Sequence, residues 1–282
     1  MRVDVNGIRM FFDVEGARFV PDGPVMREKP TLLLLHGGPG LDHSAYKPAF
    51  SQFTDIAQVV YLDHRGNGRS DRGNPALWNL AQWGDDVKAF CDAIEIEKPI
   101  VLGNSFGGFV AMSYAARHPE HPGKLVLSST RGDDARRERR IELFTEYGGP
   151  EIGAMARTWF EQGFDQDLAE AWVQKAMPLY NRRPAAPFLG AVRSNGVFLH
   201  FDGPGGEGHH FNLLPGLAAV QCPTLVMGGE DDPVCPIECQ EDIAAAFPPH
   251  LVRFERFADC GHGPWRDQPQ AAFAKLREFI LA

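Results

Sequence analysis

Short apolar runs bounded by turn-forming residues set the rhythm of this chain. Val3 and Val5, then Ile8, Met10 and Phe12, alternate on either side of Asn6-Gly7. That dipeptide favours the left-handed backbone of a two-residue turn, so an antiparallel hairpin is predicted. Thr31-Leu32-Leu33-Leu34-Leu35 is apolar without alternation, the pattern of a strand covered on both faces. Residues 59–62, 100–102, 125–127 and 224–227 repeat that character, and 251–254 is a weaker last strand. Helical spacing separates them. Asn79 stands three residues before Gln82, a cap for a helix through Val87, Phe90, Cys91 and Ile94. Residues 109–118 read as a buried helix and 271–281 as the closing one. Strand and helix in alternation, with strands apolar on both faces, predict an α/β class: a mostly parallel central sheet flanked by helices.

The rhythm breaks between residues 131 and 215. Buried-strand runs stop there. Arg136-Arg137-Glu138-Arg139-Arg140 opens a helix-prone stretch, and Phe144, Tyr147, Trp159, Phe160, Phe164, Trp172 and Tyr180 follow. Residues 203–208, rich in glycine, close it, and the adjacent His209-His210 pair is expected to face solvent. Residues 1–130 and 216–282 are therefore predicted to form one discontinuous core, with 131–215 a helical cap inserted into it.

Composition narrows the partners. A chain of 282 residues can bury one large core plus a modest insertion. The net charge of -9 argues against nucleic acid or an anionic membrane, both of which need a basic footprint. A small-molecule or short-peptide substrate is expected instead. No apolar run reaches membrane-spanning length, and residues 1–7 carry no signal-type run. Five cysteines, an odd number without framework spacing, point to a reducing, cytoplasmic setting. Cys235 and Cys239 could share a helix face and Cys260 neighbours His262, but the set lacks zinc-ligand spacing. These thiols are expected to be buried, and no metal is expected.

Gly103-Asn104-Ser105-Phe106-Gly107-Gly108 lies between a predicted strand and a predicted helix. A G-x-S-x-G in that context forms a tight elbow that lifts the serine hydroxyl above the sheet edge. A serine hydroxyl needs a base to become a useful nucleophile. Downstream, Asp231-Asp232 follow the strand at 224–227, and His262 sits between Gly261 and Gly263 after the last strand. Ser105, Asp232 and His262 in that chain order make nucleophile, orienting acid and base, with Asp231 the alternative acid. His36-Gly37-Gly38-Pro39-Gly40 follows the strand at 31–35. Acyl transfer builds charge on a carbonyl oxygen, and backbone N–H donors stabilise it. The donors are expected from Gly38, or Gly37 in its place, and from Phe106. No lysine-bearing phosphate loop accompanies these glycines, and His36, His43 and His64 do not form the H-x-H-x-D-H cluster of zinc lactonases. Residues 63–71 read as a structural turn tying loops together.

Assembled, these residues resemble the proline iminopeptidase branch of the α/β-hydrolases. The resemblance rests on His36-Gly37-Gly38-Pro39-Gly40, on Asp63-x-Arg65-Gly66-x-Gly68-x-Ser70, on the Ser105 elbow, on the Asp232 loop and on Asp259-Cys260-Gly261-His262. It implies the α/β-hydrolase fold and hydrolysis of an amide or ester through an acyl-enzyme, with no cofactor. It also implies cap glutamates that hold a substrate amine, for which Trp159-Phe160-Glu161 is the matching segment. Trp159 and Glu161 thus join Gly37 as substrate-binding candidates. Two departures keep other substrates open: Gly107-Gly108 stands where Gly-Ser is common in that branch, and the elbow is also similar to that of meta-cleavage C–C hydrolases. Those typically carry an aromatic residue directly after the histidine, where this chain has Gly263. A carboxylesterase or serine-type lactonase is the main alternative, a C–C bond hydrolase the second.

Overall fold

The computed structural model describes residues 1–183 and 191–282. Asn6 and Gly7 take φ of 45° and 80°. They join β1 (Arg2–Val5) to β2 (Ile8–Glu15) antiparallel, with Val5 opposite Ile8. A second hairpin, β3 (Phe19–Asp22) with β4 (Val25–Glu28), is absent from the apolar pattern. It is almost wholly exposed, so it has no buried face for a period-two signal to mark. The remaining strands are β5 (Thr31–Leu35), β6 (Gln58–Leu62), β7 (Ile100–Asn104), β8 (Lys124–Ser128), β9 (Thr224–Gly229) and β10 (Val252–Phe257). With β1 and β2 they make an eight-stranded sheet in the order β1-β2-β6-β5-β7-β8-β9-β10. Every neighbouring pair from β6 to β10 is parallel, while β2 meets β6 antiparallel.

The continuous apolar runs hide an alternation that the packing exposes. Leu33, Leu35, Val60, Leu62, Val101, Leu125 and Leu127 enter one core. Leu32, Leu34, Val59, Tyr61, Ile100, Leu102 and Val126 enter the other. The first face is covered by α1 (Leu80–Ala93), α2 (Phe106–Arg117), α6 (Leu214–Leu217) and α7 (Ile237–Ala246). The second is covered by the short turns His43–Tyr46 and Ala49–Asp55, by α8 (Pro264–Asp267) and by α9 (Pro269–Leu281). Asn79 caps α1 as its sequence suggests, its side chain accepting from the Gln82 N–H at 2.9 Å. Each fully buried leucine of β5 contributes about 1.5–3 kcal/mol relative to exposure.

Between β8 and β9 the described residues hold helices and turns: α3 (Arg137–Gln162), α4 (Gln166–Lys175) and α5 (Asn195–Asp202), then α6. Gly149, at φ 80° and followed by Pro150, breaks α3 into two arms. Ile141, Phe144, Ile152, Ala156, Trp159, Phe160, Phe164 and Trp172 form a third apolar cluster, which also packs on Val234 and Cys235 of the core. Residues 184–190 of the expected insertion lie outside the described residues. One expectation fails here. His209 is half-buried, with its Nε2 hydrogen-bonded to the Asp202 carbonyl at 2.9 Å, because a 3₁₀ turn at Glu207–His209 folds it back on α5; His210 is exposed.

The order of strands decides where a site can form. β5 lies between β6 and β7, so successive strands depart from it in opposite directions. Loops leaving the carboxyl ends of β5 and β7 therefore part over a crevice, the usual ligand position in an open parallel sheet.

Candidate active site

The parallel register places Leu35 beside Gly103, so the loops after β5 and β7 start side by side. Ser105 stands at φ 54° and ψ -123°, outside the regions a serine ordinarily occupies. Its conformation is held from several sides. Its N–H donates to the carbonyls of Ser128 and Ser129, each at 3.1 Å, and its carbonyl accepts from the Thr130 hydroxyl at 2.8 Å. A Cβ on Gly103 would stand 2.2 Å from the Gly107 carbonyl oxygen, and one on Gly107 would stand 1.9 Å from that of Leu35. Only glycine lets the elbow close this tightly against β5. Phe106 opens α2, so its N–H has no acceptor within the helix.

Asp232 is fully buried after β9 and accepts the ring N–H of His262, Nδ1 to Oδ2, at 2.8 Å. Its other oxygen accepts the N–H groups of Val234 and Cys235 at 2.8 and 2.9 Å. Asp231 instead pairs with Arg182 at 3.0 Å and does not meet the histidine. His262 is itself fixed by its backbone. Its N–H donates to the Tyr180 carbonyl at 2.6 Å, its carbonyl accepts from Asn181 Nδ2 at 2.9 Å, and the Gly263 N–H donates to Ser129 Oγ at 2.9 Å. The Tyr180 ring stands edge-on to the imidazole at 5.5 Å, and its hydroxyl accepts from Trp172 Nε1.

Ser105 and His262 share the wall of a cavity of about 450 Å³ with Gly37, Gly38, Tyr46 and Trp159. Glu161 does not join them. It is exposed and pairs with Arg157 at 2.7 Å. Two residues along a helix turn the side chain by roughly 200°, so Trp159 and Glu161 leave α3 on opposite sides. The carboxylate that the described wall does carry is Glu170 of α4, which accepts from Gln166 Nε2 at 2.6 Å.

Residues 63–71 form a structural knot away from that wall. Asp63 accepts from the His43 ring and N–H at 2.8 and 2.9 Å and from the Arg69 N–H at 2.8 Å. Burial pushes the Asp63 carboxyl up, and these donors outweigh it, leaving its pKa below the usual range. Arg65 and Asp86 pair in the core, 2.6 Å apart. Asn67 Oδ1 accepts the Gly40 N–H at 2.7 Å and so ties this knot to the loop after β5. Burial holds His36 and His64 below the usual histidine range, as neutral packing groups. All five cysteines are buried; burial pushes the Cys239 and Cys260 thiols up to about 12. Among the described residues, the His/Cys/Asp/Glu cluster tight enough for an ion is Asp42, His43 and Asp63, which contains no cysteine.

Several positioning groups escape the motifs. Gln240 is fully buried and bridges Thr130 to Cys235: Oε1 accepts from the Thr130 N–H, and Nε2 donates to the carbonyls of Thr130 and Cys235. Asp267 accepts the N–H groups of Gly261, Arg182 and Arg183 and the Asn181 amide. Burial raises its carboxyl, yet these bonds hold its pKa below the usual range. An acid just past the histidine loop is the one sequence signal that marks Asp267; nothing marks Gln240, Ser129 or Asn181.

A model of the alpha/beta hydrolase fold matches residues 30–264, more than half of the chain, and the protein belongs to that family. Within it, the chain is similar to the proline iminopeptidase branch. It is 28% identical over 252 residues to proline iminopeptidase PfmaB of Pestalotiopsis fici, covering 86% of each chain. It is 30% identical over 260 residues to 2-hydroxymuconate semialdehyde hydrolase of Pseudomonas sp. (strain CF600), covering 89% of this chain and 86% of that one. Its fold follows that of proline iminopeptidase from Mycobacterium smegmatis with a TM-score of 0.80 at 20% identity, over 99% and 97% of the two chains. No described helix is long and apolar enough to cross a membrane.

Proposed function

We propose that this protein is a serine hydrolase that cleaves a carboxylic ester or amide through an acyl-enzyme. Ser105 Oγ attacks the carbonyl carbon while His262 takes its proton. Asp232 holds the imidazole in the required tautomer and stabilises its positive charge. The N–H groups of Gly38 and Phe106 receive the oxyanion, with Gly37 beside them. The carbon–heteroatom bond then breaks as His262 returns the proton to the leaving group. Water, activated by the same histidine, releases the acid. The carrying observation is the 2.8 Å bond from His262 to a fully buried Asp232, on a histidine that shares one cavity wall with the strained Ser105. Ser105→Ala is expected to lower turnover of p-nitrophenyl butyrate by at least about a thousandfold with the fold unchanged by circular dichroism. Retained turnover would refute the assignment.

Between the two bond types the wall favours the ester. Holding a substrate ammonium needs carboxylates, and Glu170 shares the wall with Arg193 and Arg266, while Glu161 lies outside. Apolar residues such as Leu41, Trp159, Val173, Met177 and Phe198 supply much of the remaining surface. The aminopeptidase reading has Glu170 as its one described anchor. Prolyl p-nitroanilide turned over faster than p-nitrophenyl esters would favour it.

A further inference from the structure

We infer that the Tyr180 hydroxyl is a substrate-binding donor on the leaving-group side of the cavity, so that the alcohol portion of the ester carries a neutral acceptor oxygen of its own. The inference rests on the acyl-transfer reading and adds the chemistry of the group that leaves. Tyr180 lines the cavity together with Ser105 and His262. It is held from three sides. Its carbonyl accepts the His262 N–H at 2.6 Å, its ring stands edge-on to the imidazole with centres 5.5 Å apart, and its hydroxyl oxygen accepts from Trp172 Nε1 at 2.7 Å. A Cβ on Gly261 would stand 2.1 Å from the Tyr180 carbonyl oxygen, so glycine at that position lets Tyr180 press against the histidine loop.

Proton bookkeeping makes the case. A phenol carries one O–H donor besides its acceptor lone pairs. Tyr46, also on the wall, spends its proton on the Leu35 carbonyl at 2.8 Å. Gln166 and Asn181 spend amide protons on Glu170 and on the His262 carbonyl. Among the described residues the Tyr180 hydroxyl meets a donor, Trp172, and its own proton reaches no acceptor. Accepting from the indole polarises the O–H and strengthens it as a donor. Burial raises the Tyr180 pKa, so the hydroxyl keeps its proton at neutral pH and stays uncharged. An uncharged donor on a wall that includes Leu41, Met177 and Phe198 suits a neutral ether or carbonyl oxygen, whose desolvation it offsets. The side follows from the chemistry. His262 hands its proton to the leaving group, which therefore departs along the imidazole. A ring packed edge-on to that imidazole borders the alcohol portion of the ester.

The test compares 2-methoxyethyl butyrate with n-butyl butyrate, which differ by an ether oxygen in place of a methylene in the alcohol portion. Initial rates by pH-stat at pH 7.5 give kcat/KM for each. The ether's own effect on leaving-group reactivity persists in Tyr180→Phe, so that variant sets the baseline ratio. The wild-type ratio of methoxyethyl to butyl ester is expected to exceed that baseline by about threefold to tenfold, the weight of one hydrogen bond. Equal ratios in the two proteins, even where Tyr180→Phe slows both esters alike, would overturn the anchor and leave the hydrolase assignment intact. If Tyr180→Phe fails to fold by circular dichroism, Trp172→Phe replaces it: a ratio below that of the wild type upholds the anchor, and an unchanged one overturns it. If the wild type turns over neither ester, titration with each, followed by tryptophan fluorescence, decides. Tighter binding of the methoxyethyl ester that is lost in Tyr180→Phe upholds the anchor and removes acyl transfer. Equal binding of the two, or none, removes the anchor.

Discussion

Asp202 illustrates how a single buried carboxyl can shape stability. It lies near Arg131, Arg140, His209 and Asp134, and burial raises its pKa from 3.8 to about 6 against the pull of Arg131 and His209. Below pH 3.8 the folded and unfolded chains both hold the proton, and Asp202 contributes no pH dependence. Between 3.8 and about 6 the unfolded chain releases the proton first, so the folded state loses stability as pH rises. Above that window the loss is complete, on the order of 3 kcal/mol. Urea titrations from pH 4 to 7 should show this falling limb in the wild type and a flatter one in Asp202→Asn. Parallel limbs would refute it. Charge identity at this scale is plain in the amino-acid order, but burial is not. Asp231 and Asp232 are chemically identical neighbours, and only their surroundings separate one that pairs with Arg182 from one that meets His262.

At the scale of elements, the site depends on how closely α2 and β5 approach. A Cβ on Gly107 would meet the Leu35 carbonyl at 1.9 Å and the His36 carbonyl at 2.8 Å, both backbone atoms that cannot rotate away. Gly107→Ala is therefore expected to lower unfolding free energy by about 3 kcal/mol or more. Gly196, inside α5 with nothing within 4 Å of its added Cβ, is the contrast. There the same substitution should stabilise by up to about 1 kcal/mol through helix propensity. Chemical denaturation of both variants checks the pair, and losses of equal size would defeat the packing argument. Element type and order were legible because each buried strand is an unbroken apolar run and each turn holds Gly, Asn or Pro. The β3–β4 hairpin was not legible, since an exposed ribbon needs no apolar pattern.

Over the whole molecule, the segment between β8 and β9 does more than roof the cavity. Through Tyr180 and Asn181 it grips both backbone ends of His262, and through Asp267 it is tied to Gly261 and to α8. Asp267→Asn leaves one acceptor oxygen where four N–H donors converge. Its kcat/KM on p-nitrophenyl butyrate should fall about ten- to a hundredfold. Amide exchange at residues 181–183 and 261–262 should quicken. Unchanged turnover with unchanged protection would show that the strap does not position the histidine.

Ser105, Asp232 and His262 could be chosen from order and local context because turn geometry and strand ends are encoded within a few residues of each. The clearance at Gly107 and the alternation of buried faces are not local in that sense, because the first is set by the Leu35 and His36 carbonyls and the second by which core each strand residue enters. What holds the histidine, and what lines the cavity, required the folded chain. Asn181 and His262 are 81 residues apart, Thr130 and Gln240 110. Glu161 left the site because facing is set by the rotation of a helix against its neighbours, and Glu170, Arg193 and Arg266 reach the cavity wall from separate segments of the chain. Specificity here is a property of side chains gathered from distant segments, and no window along the chain contains them together.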